Sequence, residues 1–328
     1  MAAVLFTCAG QRVDIVTAFG RAGATTLAVD ANELAPALQV ADHHACVPRV
    51  DDPAYLEALR ALVELHDVRL VVPLADLDHL LLSQRRDELG GALVLLPPPD
   101  TIRLCEDKYS AHRFFVERAL PSPSTWLPEE LPGELRFPVL VKARRGFGSR
   151  HIYRAQDRAE LDFFLGYTTA PSMVQSVCAG EEFSIDVFCD TDGRCLNAIP
   201  RTMIESKGGE SIKGMTIKAP DLIEHGCRVA ETLGIVGPAT IQCFREPDGS
   251  LPVTDVNPRF GGGFPLPTAA GSHYPELALA LAAGEHPEPR VGEFDEGVVM
   301  TRFFSQIVLR EADGTLEPLE APLVPDEA

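Results

Sequence analysis

The stretch from residue 242 to residue 263 combines residue types that could hold a metal ion and a phosphate. Two apolar runs, residues 239–244 and 251–256, flank the turn sequence Pro-Asp-Gly-Ser at 247–250. Proline fixes φ, and aspartate and glycine accept turn geometry, so the segment predicts a β-hairpin.

The register of this hairpin decides which side chains meet. If Glu246 pairs with Leu251 across a four-residue loop, Gln242 lies directly opposite Asp255. Asn257 then points the same way, because side chains alternate between the faces of a strand. Oxygen ligands with open positions for phosphate and water suit Mg²⁺ or Mn²⁺. The sequence therefore predicts Gln242, Asp255 and Asn257 as metal ligands.

Two further features follow these predicted ligands. Arg259 has the same parity if the strand continues, so we expect it to contact the phosphate that the metal bridges. The glycines at 261–263 allow the backbone to approach a bound nucleotide or substrate closely. The alternative is a surface hairpin whose polar residues face water, because a slip of one residue would separate the three ligands.

A second candidate is the loop after Lys142. Residues 137–142 predict a strand that ends in this lysine, and Gly146, Gly148 and Ser149 follow before another strand-like run. Free backbone N–H groups, a hydroxyl and a lysine together make a flexible phosphate cover. The order differs from that of a P-loop. A hairpin with a solvated basic tip is the alternative.

These residues need elements to position them, and the apolar pattern supplies a prediction. Strands are predicted at 4–8, 25–29, 45–47, 70–72 and 93–96, with helices at 13–20, 53–65 and 77–89. This alternation indicates a parallel sheet wound with helices. Three prolines at 97–99 end it, so we place a domain boundary soon after.

The pattern beyond residue 99 is richer in strands. Helices are predicted at 100–105, 108–120, 158–165 and 221–233, and an extended link leads into 125–127. Strands are predicted at 139–142, 172–177, 182–189, 195–200 and 215–218, besides the hairpin. The fold class is therefore α/β, with later lobes of the α+β type. Residues from 316 onward mix single apolar residues with acids and prolines and predict a loosely held tail.

Net charge, cysteine pattern and apolar runs exclude several classes of function. A net charge of −19 argues against a surface that wraps nucleic acid or anionic lipid. The eight cysteines include no CxxC pair, which favours free thiols in a reducing compartment. No apolar run approaches the roughly 20 residues of a membrane span, and the start lacks the pattern of a secretory signal. We expect a cytoplasmic protein without nucleic-acid or membrane partners.

Four motifs in order resemble those of the ATP-grasp superfamily, and most closely its carbamoyl-phosphate-synthetase-like branch. They lie at residues 107–109, 142–149, 175–186 and 255–263. The resemblance implies a pre-ATP-grasp α/β domain at 1–104 and a two-lobed ATP-grasp domain at 105–312, with the nucleotide between antiparallel sheets. The small clamping lobe would span about 112–178 and the large metal-bearing lobe about 179–312, with a tail at 313–328.

The resemblance also implies roles for single residues. Lys108 and Lys142 would hold phosphates, and Arg259 the phosphate that is transferred. Gly146, Gly148 and Ser149 would lie in the mobile cover, Gln175, Ser176, Val177 and Cys178 in the hinge against adenine, and Glu182 at the ribose hydroxyls. The same three metal ligands follow from this resemblance as from the hairpin. ATP and Mg²⁺ or Mn²⁺ are thus the expected cofactors.

The sequence departs from the family pattern at three positions. Ala143 stands where proline is usual after the lysine, and His151 where glycine is usual near the end of the loop. Asp255 replaces the commoner glutamate, which pulls the carboxylate back by about one methylene and loosens a two-metal arrangement.

Two more segments carry candidate residues. In enzymes similar to this one, the region at 199–218 lies beside the acceptor, so Arg201, Lys207 and Lys213 are candidates for holding a carboxylate or acyl phosphate; an exposed turn is the alternative. Near the start, Gly10 follows a strand and Asp30 ends the next one, which hints at a dinucleotide site with one of its three glycines. A decayed nucleotide-type lobe that contributes substrate contacts, or a purely structural lobe, is favoured over a dinucleotide site.

The leading hypothesis is a carboxylate–amine ligase that works through an acyl phosphate on a small-molecule acid, with an amine or another nucleophile as acceptor. Phosphoryl transfer to a small acid without ligation is the second hypothesis. A nucleotide-binding regulatory or scaffold protein is the third, and a dinucleotide oxidoreductase comes last. A second copy of the chain, forming a homodimer, is also kept open as a partner.

Overall fold

A parallel five-stranded sheet opens the chain in this computed structural model, which describes residues 2–146, 151–207, 210–312 and 315–319. Its strands β1 to β5 are Ala3–Thr7, Thr25–Asp30, His43–Cys46, Val68–Pro73 and Leu93–Val94. They lie in the order β3-β2-β1-β4-β5, and every neighbouring pair is parallel. The central strands are almost continuously buried, as expected for a parallel sheet covered on both faces.

Helices cover this sheet on both sides. Helices α1 (Val13–Arg21), α2 (Tyr55–Leu65) and α3 (His79–Gln84) follow the predicted pattern, with a 3₁₀ turn at Pro36–Gln39 that was not predicted. Leu59 and Leu82 pack on one face of the sheet. The other face packs on α1 and on residues from the far end of the chain.

The next segment crosses from the first sheet to a second. Helices α4 (Pro99–Glu106) and α5 (Lys108–Glu117) lead into an antiparallel sheet of order β6-β9-β7-β8. Its strands β6 to β9 are Thr125–Trp126, Val139–Ala143, Ile152–Ala155 and Ser172–Ser176. Helix α6 (Arg158–Tyr167) packs on it through Leu161. We call this sheet and its helix the small lobe.

A third, antiparallel sheet follows in the order β11-β10-β14-β15, and we call it and its helices the large lobe. Its strands are β10 (Glu181–Cys189), β11 (Cys195–Thr202), β14 (Gly237–Arg245) and β15 (Val253–Asn257), and helix α7 (Pro220–Leu233) packs on it. Proline at the start of α7 and Gly234 in the left-handed region after its end confirm the predicted bounds.

Smaller elements complete the large lobe. Strands β12 (Glu205–Lys207), β13 (Glu210–Met215) and β16 (Val299–Thr301) form a sheet, and β17 (Leu309–Ala312) pairs with β18 (Thr315–Pro318). Helices α8 (Pro265–Ala269) and α9 (Tyr274–Ala282) had no counterpart in the sequence prediction.

Two predictions need correction. The strand expected at 215–218 ends at Met215, and a single bridge joins Thr216 to Arg201. The expected tail contains β18, whose backbone pairs with that of β17. Residues 320–328 lie outside the described part of the chain.

The predicted α/β fold class is confirmed. The first sheet packs against the large lobe through a cluster of aromatic side chains: Phe6, Phe19, Phe260, Phe264 and Tyr274. Among the described helices, none is long and apolar enough to cross a membrane. All eight cysteines are free thiols.

Candidate active site

Gln242 and Asp255 lie directly opposite each other on β14 and β15, as the sequence predicts. Asn257 lies opposite Thr240, one step along the same face, because side chains alternate along a strand. The hairpin therefore places the three predicted metal ligands on one face.

The hairpin loop is one residue shorter than expected. The Glu246 N–H donates to the Ser250 carbonyl oxygen at 3.0 Å, so residues 247–249 form the loop, with Gly249 at φ +83°. A register shift between Gln242 and Cys243 takes up the difference. The predicted pairing of Glu246 with Leu251 is thus wrong, although the pairing at the ligands is right.

Lys108 bridges the glycine-rich loop and the ligand-bearing strand. Its Nζ lies 3.4 Å from Asp255 Oδ1 and donates to the Gly146 carbonyl oxygen at 3.1 Å. Gly146 has φ +134°, which favours glycine. One of the two predicted phosphate lysines therefore contacts a predicted metal ligand directly.

Asp107 and Arg144 fix the helix that carries Lys108. Asp107 caps α5 by accepting the backbone N–H groups of Tyr109 and Ser110, and Arg144 Nε donates to the same carboxylate at 3.2 Å. Burial alone would raise the pKa of Asp107, but Arg144 and these N–H groups lower it overall. The signal available in the sequence was an aspartate directly before a helical run.

Lys142 enters the cleft from β7. Its Nζ donates to Gln175 Oε1 at 2.8 Å, and Gln175 Nε2 donates to the Thr125 hydroxyl at 3.0 Å. Burial lowers the pKa of Lys142, against the opposing charges of Asp255 and others. Burial raises the pKa of Glu182, with Lys142 opposing that shift. These groups therefore share one poorly solvated cleft between the two lobes.

The predicted hinge links β9 to β10. Gln175 and Ser176 end β9, and Val177 and Cys178 lie in the connection. Burial raises the pKa of the Cys178 thiol to about 12, so it is not a reactive thiolate. A Cβ at Gly180 would lie 1.9 Å from the Arg245 carbonyl oxygen, so the connection passes directly against β14.

Arg259 contacts a residue that sequence reasoning missed. Strand β15 ends at Asn257, and Arg259 Nε then donates to Asp76 Oδ1 of the first domain at 2.9 Å. A cavity of about 220 Å³ opens here, with Asp76, His79, Lys108, Asp255 and Asn257 among its walls. The available signal was a carboxylate in the loop that follows β4.

Arg201 is buried rather than exposed in a turn. Its side chain is 3% exposed, and its Nε donates to Asp186 Oδ2 at 2.7 Å. The guanidinium lies against Gly263, where a Cβ would come within 2.5 Å of Cζ. A substrate contact would require this ion pair to open, so the role expected of Arg201 stays a prediction.

The other predicted site residues make no described contact with the cleft residues above. Lys213 pairs with Glu205 at 2.7 Å and is half exposed. Gly148, Ser149 and the side chain of Lys207 lie outside the described residues, although the backbone of Lys207 pairs with Glu210.

The two residues that hinted at a dinucleotide site, Gly10 and Asp30, contact each other in the first domain. Asp30 Oδ2 accepts the Gly10 N–H at 2.9 Å, so this carboxylate holds its own loop. Arg12 donates to the carbonyl oxygens of Phe260 and Gly261, at 2.8 and 3.0 Å. The first domain thus holds, through Arg12, the backbone of the segment that follows the predicted metal ligands.

A parallel α/β domain followed by two antiparallel lobes that face a lysine-containing cleft defines the class of ATP-grasp proteins. Family models agree with this assignment. Residues 4–94 match the model described as "PylC-like, N-terminal domain", and residues 168–303 match "ATP-grasp in the biosynthetic pathway with Ter operon". The chain therefore joins a PylC-like N-terminal domain to an ATP-grasp domain, and the predicted superfamily is confirmed.

Proteins of the expected branch are among the relatives of this chain. The large chain of carbamoyl phosphate synthase from Deinococcus radiodurans is 26% identical over 298 residues, which cover 83% of this chain and 28% of that protein. The chain thus spans little more than a quarter of this relative.

Solved structures share the fold. The biotin carboxylase domain of 2-oxoglutarate carboxylase from Hydrogenobacter thermophilus, solved with MgADP and bicarbonate, has a TM-score of 0.72 at 17% identity and covers 90% of this chain and 73% of that one. The L-amino acid ligase of Bacillus licheniformis has a TM-score of 0.69 at 19% identity and covers 90% and 78%.

Proposed function

We propose that the chain is a Mg-ATP-dependent carboxylate–amine ligase that forms an acyl phosphate on a small-molecule acid. The observation that carries this proposal is the 3.4 Å contact between Lys108 Nζ and Asp255 Oδ1. It brings a phosphate-type cation against a metal-type carboxylate at the edge of a cavity.

The donor set fits a divalent cation. Gln242 and Asn257 offer amide oxygens and Asp255 a carboxylate, which are ligands that Mg²⁺ prefers. The lysine ammonium beside Asp255 indicates that this carboxylate favours a positive charge. These three residues would hold the metal, which supplies charge neutralisation at the phosphates when bound.

The reaction follows from the charges around the cleft. Lys108 and Lys142 would bind the phosphates of ATP, and Glu182 the ribose. A substrate carboxylate oxygen attacks the γ-phosphorus, the bond to the bridging oxygen breaks, and ADP leaves. Cations that are held in place favour this step because they stabilise charge as it develops.

The second half-reaction releases phosphate. The amine attacks the acyl carbon, a C–N bond forms, the C–O bond to phosphate breaks, and the amine loses one proton. Likeness to a ligase at 19% identity supports the fold alone, so the acid and the amine belong to the proposal. The cytoplasmic location and the homodimer remain predictions from the sequence.

A screen for ADP release tests the proposal. Wild-type protein is incubated with Mg-ATP and a panel of small carboxylates, with and without amines. The proposal predicts ADP release that needs both a carboxylate and an amine. Release without an amine would indicate simple phosphoryl transfer, and ATP binding without turnover would indicate a regulatory protein.

Two variants of the same hairpin separate the metal site from general damage. Asp255→Asn removes the carboxylate beside Lys108, whereas Asp248→Asn changes an exposed carboxylate in the loop, which only caps the Ser250 N–H. We expect a loss of at least about 100-fold in the first variant, the scale of removing a catalytic electrostatic contact. The second should keep wild-type activity, and full activity in Asp255→Asn would reject the metal assignment.

A further inference from the structure

Two loops at the carboxyl end of the first sheet reach across to the ATP-grasp domain. Arg12 follows β1, and Asp76 follows β4. These strands are neighbours, and the chain continues from β1 toward one edge of the sheet and from β4 toward the other. In open parallel sheets this switch point is the usual place for ligands. Here its side chains contact the segment from Asn257 to Gly261.

Asp76 holds Arg259 in a fixed orientation. Arg259 Nε donates to Oδ1 at 2.9 Å and its Nη2 to Oδ2 at 3.3 Å, the two-point geometry that suits a guanidinium and a carboxylate. The side chains of Arg259 and Asp76 are only 18% and 28% exposed, respectively, so solvent screens the ion pair weakly. The pKa of Asp76 is consistent with this ion pair. Burial alone would raise that pKa, but Arg259, His79 and Lys108 lower it overall.

The remaining donors of Arg259 tie it to its own segment. Nη2 donates to Asn257 Oδ1 at 3.2 Å, and Nη1 donates to the Phe260 carbonyl oxygen at 3.4 Å. A guanidinium has five N–H groups. Within the described residues these contacts use four, which leaves one N–H on Nη1 for a ligand.

Arg12 holds the backbone that follows. Its donors reach the carbonyl oxygens of Phe260 and Gly261, and its Nε and Nη2 also pair with Asp14 at 3.0 Å. These contacts tie Arg12 both to Asp14 of its own domain and to the backbone of the ATP-grasp domain. Its contacts support the Asp76 contact by fixing the chain next to Arg259.

We propose that Asp76 is a positioning residue of the proposed active site, holding Arg259 so that a single N–H is directed at the phosphate being transferred. The inference rests on the proposed function for the identity of that phosphate. It also gives the first domain a role in the site, because the switch point of its sheet orients a cation of the neighbouring domain.

The first test needs no substrate. The Nε–H signal of Arg259 is followed in ¹H–¹⁵N spectra and assigned by its loss in Arg259→Lys. A hydrogen-bonded Nε–H exchanges slowly with water. We expect a protected signal in wild-type protein, its loss in Asp76→Asn, and its return in Asp76→Glu, which restores the charge.

Asp190→Asn is the matched control. Asp190 is a buried carboxylate that pairs with Arg194 at 3.1 Å in the turn between β10 and β11, at the other end of that sheet from the cleft. The Arg259 signal should be unchanged in this variant.

The second test uses the acceptor-dependent ADP release described above. Asp76→Asn should lower kcat at least about tenfold while KM for ATP stays within about threefold, and Asp76→Glu should recover part of kcat. An unchanged signal in Asp76→Asn, or an equal loss of ATP binding and kcat, overturns the inference. A lost signal in a protein whose wild type shows no turnover instead supports the positioning contact and rejects the proposed ligase.

Discussion

Replacing Arg201 by methionine should destabilise the large lobe strongly. Arg201 and Asp186 are 3% and 5% exposed, and their atoms Nε and Oδ2 are 2.7 Å apart. The variant would leave the Asp186 carboxylate buried, with the Thr240 hydroxyl as its remaining side-chain donor in the described structure. Removing one partner of a buried ion pair costs about 3–5 kcal/mol, because the other charge stays in a poorly solvated site.

The assay must resolve one lobe, because a protein of several domains does not unfold in two states. Amide hydrogen exchange in β10 and β14 reports the free energy of opening the large lobe, and urea denaturation followed by circular dichroism gives the overall transition. Arg158→Met is the matched control, since its pair with Asp162 on α6 is more than half exposed. That variant should lose less than about 1 kcal/mol.

A double variant separates the ion pair from the packing. Asp186→Leu with Arg201→Met removes both charges and should be less destabilised than Arg201→Met alone, because no unpaired charge remains. A loss below about 1 kcal/mol in Arg201→Met would refute the reasoning. Arg201 would then be free to serve a substrate, as the sequence suggested.

Three further predictions follow from local geometry. Gly263→Ala places a Cβ 2.5 Å from a buried guanidinium carbon, so it should cost about 1–3 kcal/mol in urea denaturation, whereas Gly133→Ala, with open space around it, should not. His225 is buried with a pKa of about 4, below its ordinary 6.5, so its neutral form stabilises the fold above pH 6.5 and that contribution is lost as the pH falls toward 4. Between pH 6.5 and 5, wild-type protein should therefore lose about 2 kcal/mol more stability than His225→Gln loses. An equal loss in both proteins would contradict this. Lys108→Gln frees Asp255 from a pair worth up to about 1 kcal/mol, so Mn²⁺ binding without nucleotide, measured by electron paramagnetic resonance, should tighten about fivefold; weaker binding would contradict it.

The sequence predicted the elements that depend on local pattern. Apolar runs bounded by proline and glycine marked the first sheet, α7 and the hairpin of β14 and β15 to within a few residues. The hairpin pairing at Gln242 was right because the two errors compensate: the loop is one residue shorter, and a register shift lies between the loop and the ligands. A local irregularity of this kind leaves no clear signal in the apolar pattern.

Contacts between distant segments could not be predicted. Asp76 and Arg259 are separated by 183 positions, and their pairing depends on how the first sheet packs against the large lobe. Arg201 was expected near a substrate because similar enzymes place this basic segment beside the acceptor, yet burial and Asp186 decide its surroundings. The fold and the shared face of Gln242, Asp255 and Asn257 were therefore accessible from sequence, whereas the partners of each charged side chain required the tertiary structure.

An isotope measurement tests the central claim most directly. Once a carboxylate substrate has been found by ADP release, the same acid is prepared with ¹⁸O in its carboxylate and incubated with Mg-ATP and the amine. An acyl phosphate requires one carboxylate oxygen to leave with the phosphate, so the account predicts one ¹⁸O atom in each released phosphate, measured by ³¹P NMR. Phosphate without ¹⁸O would contradict it.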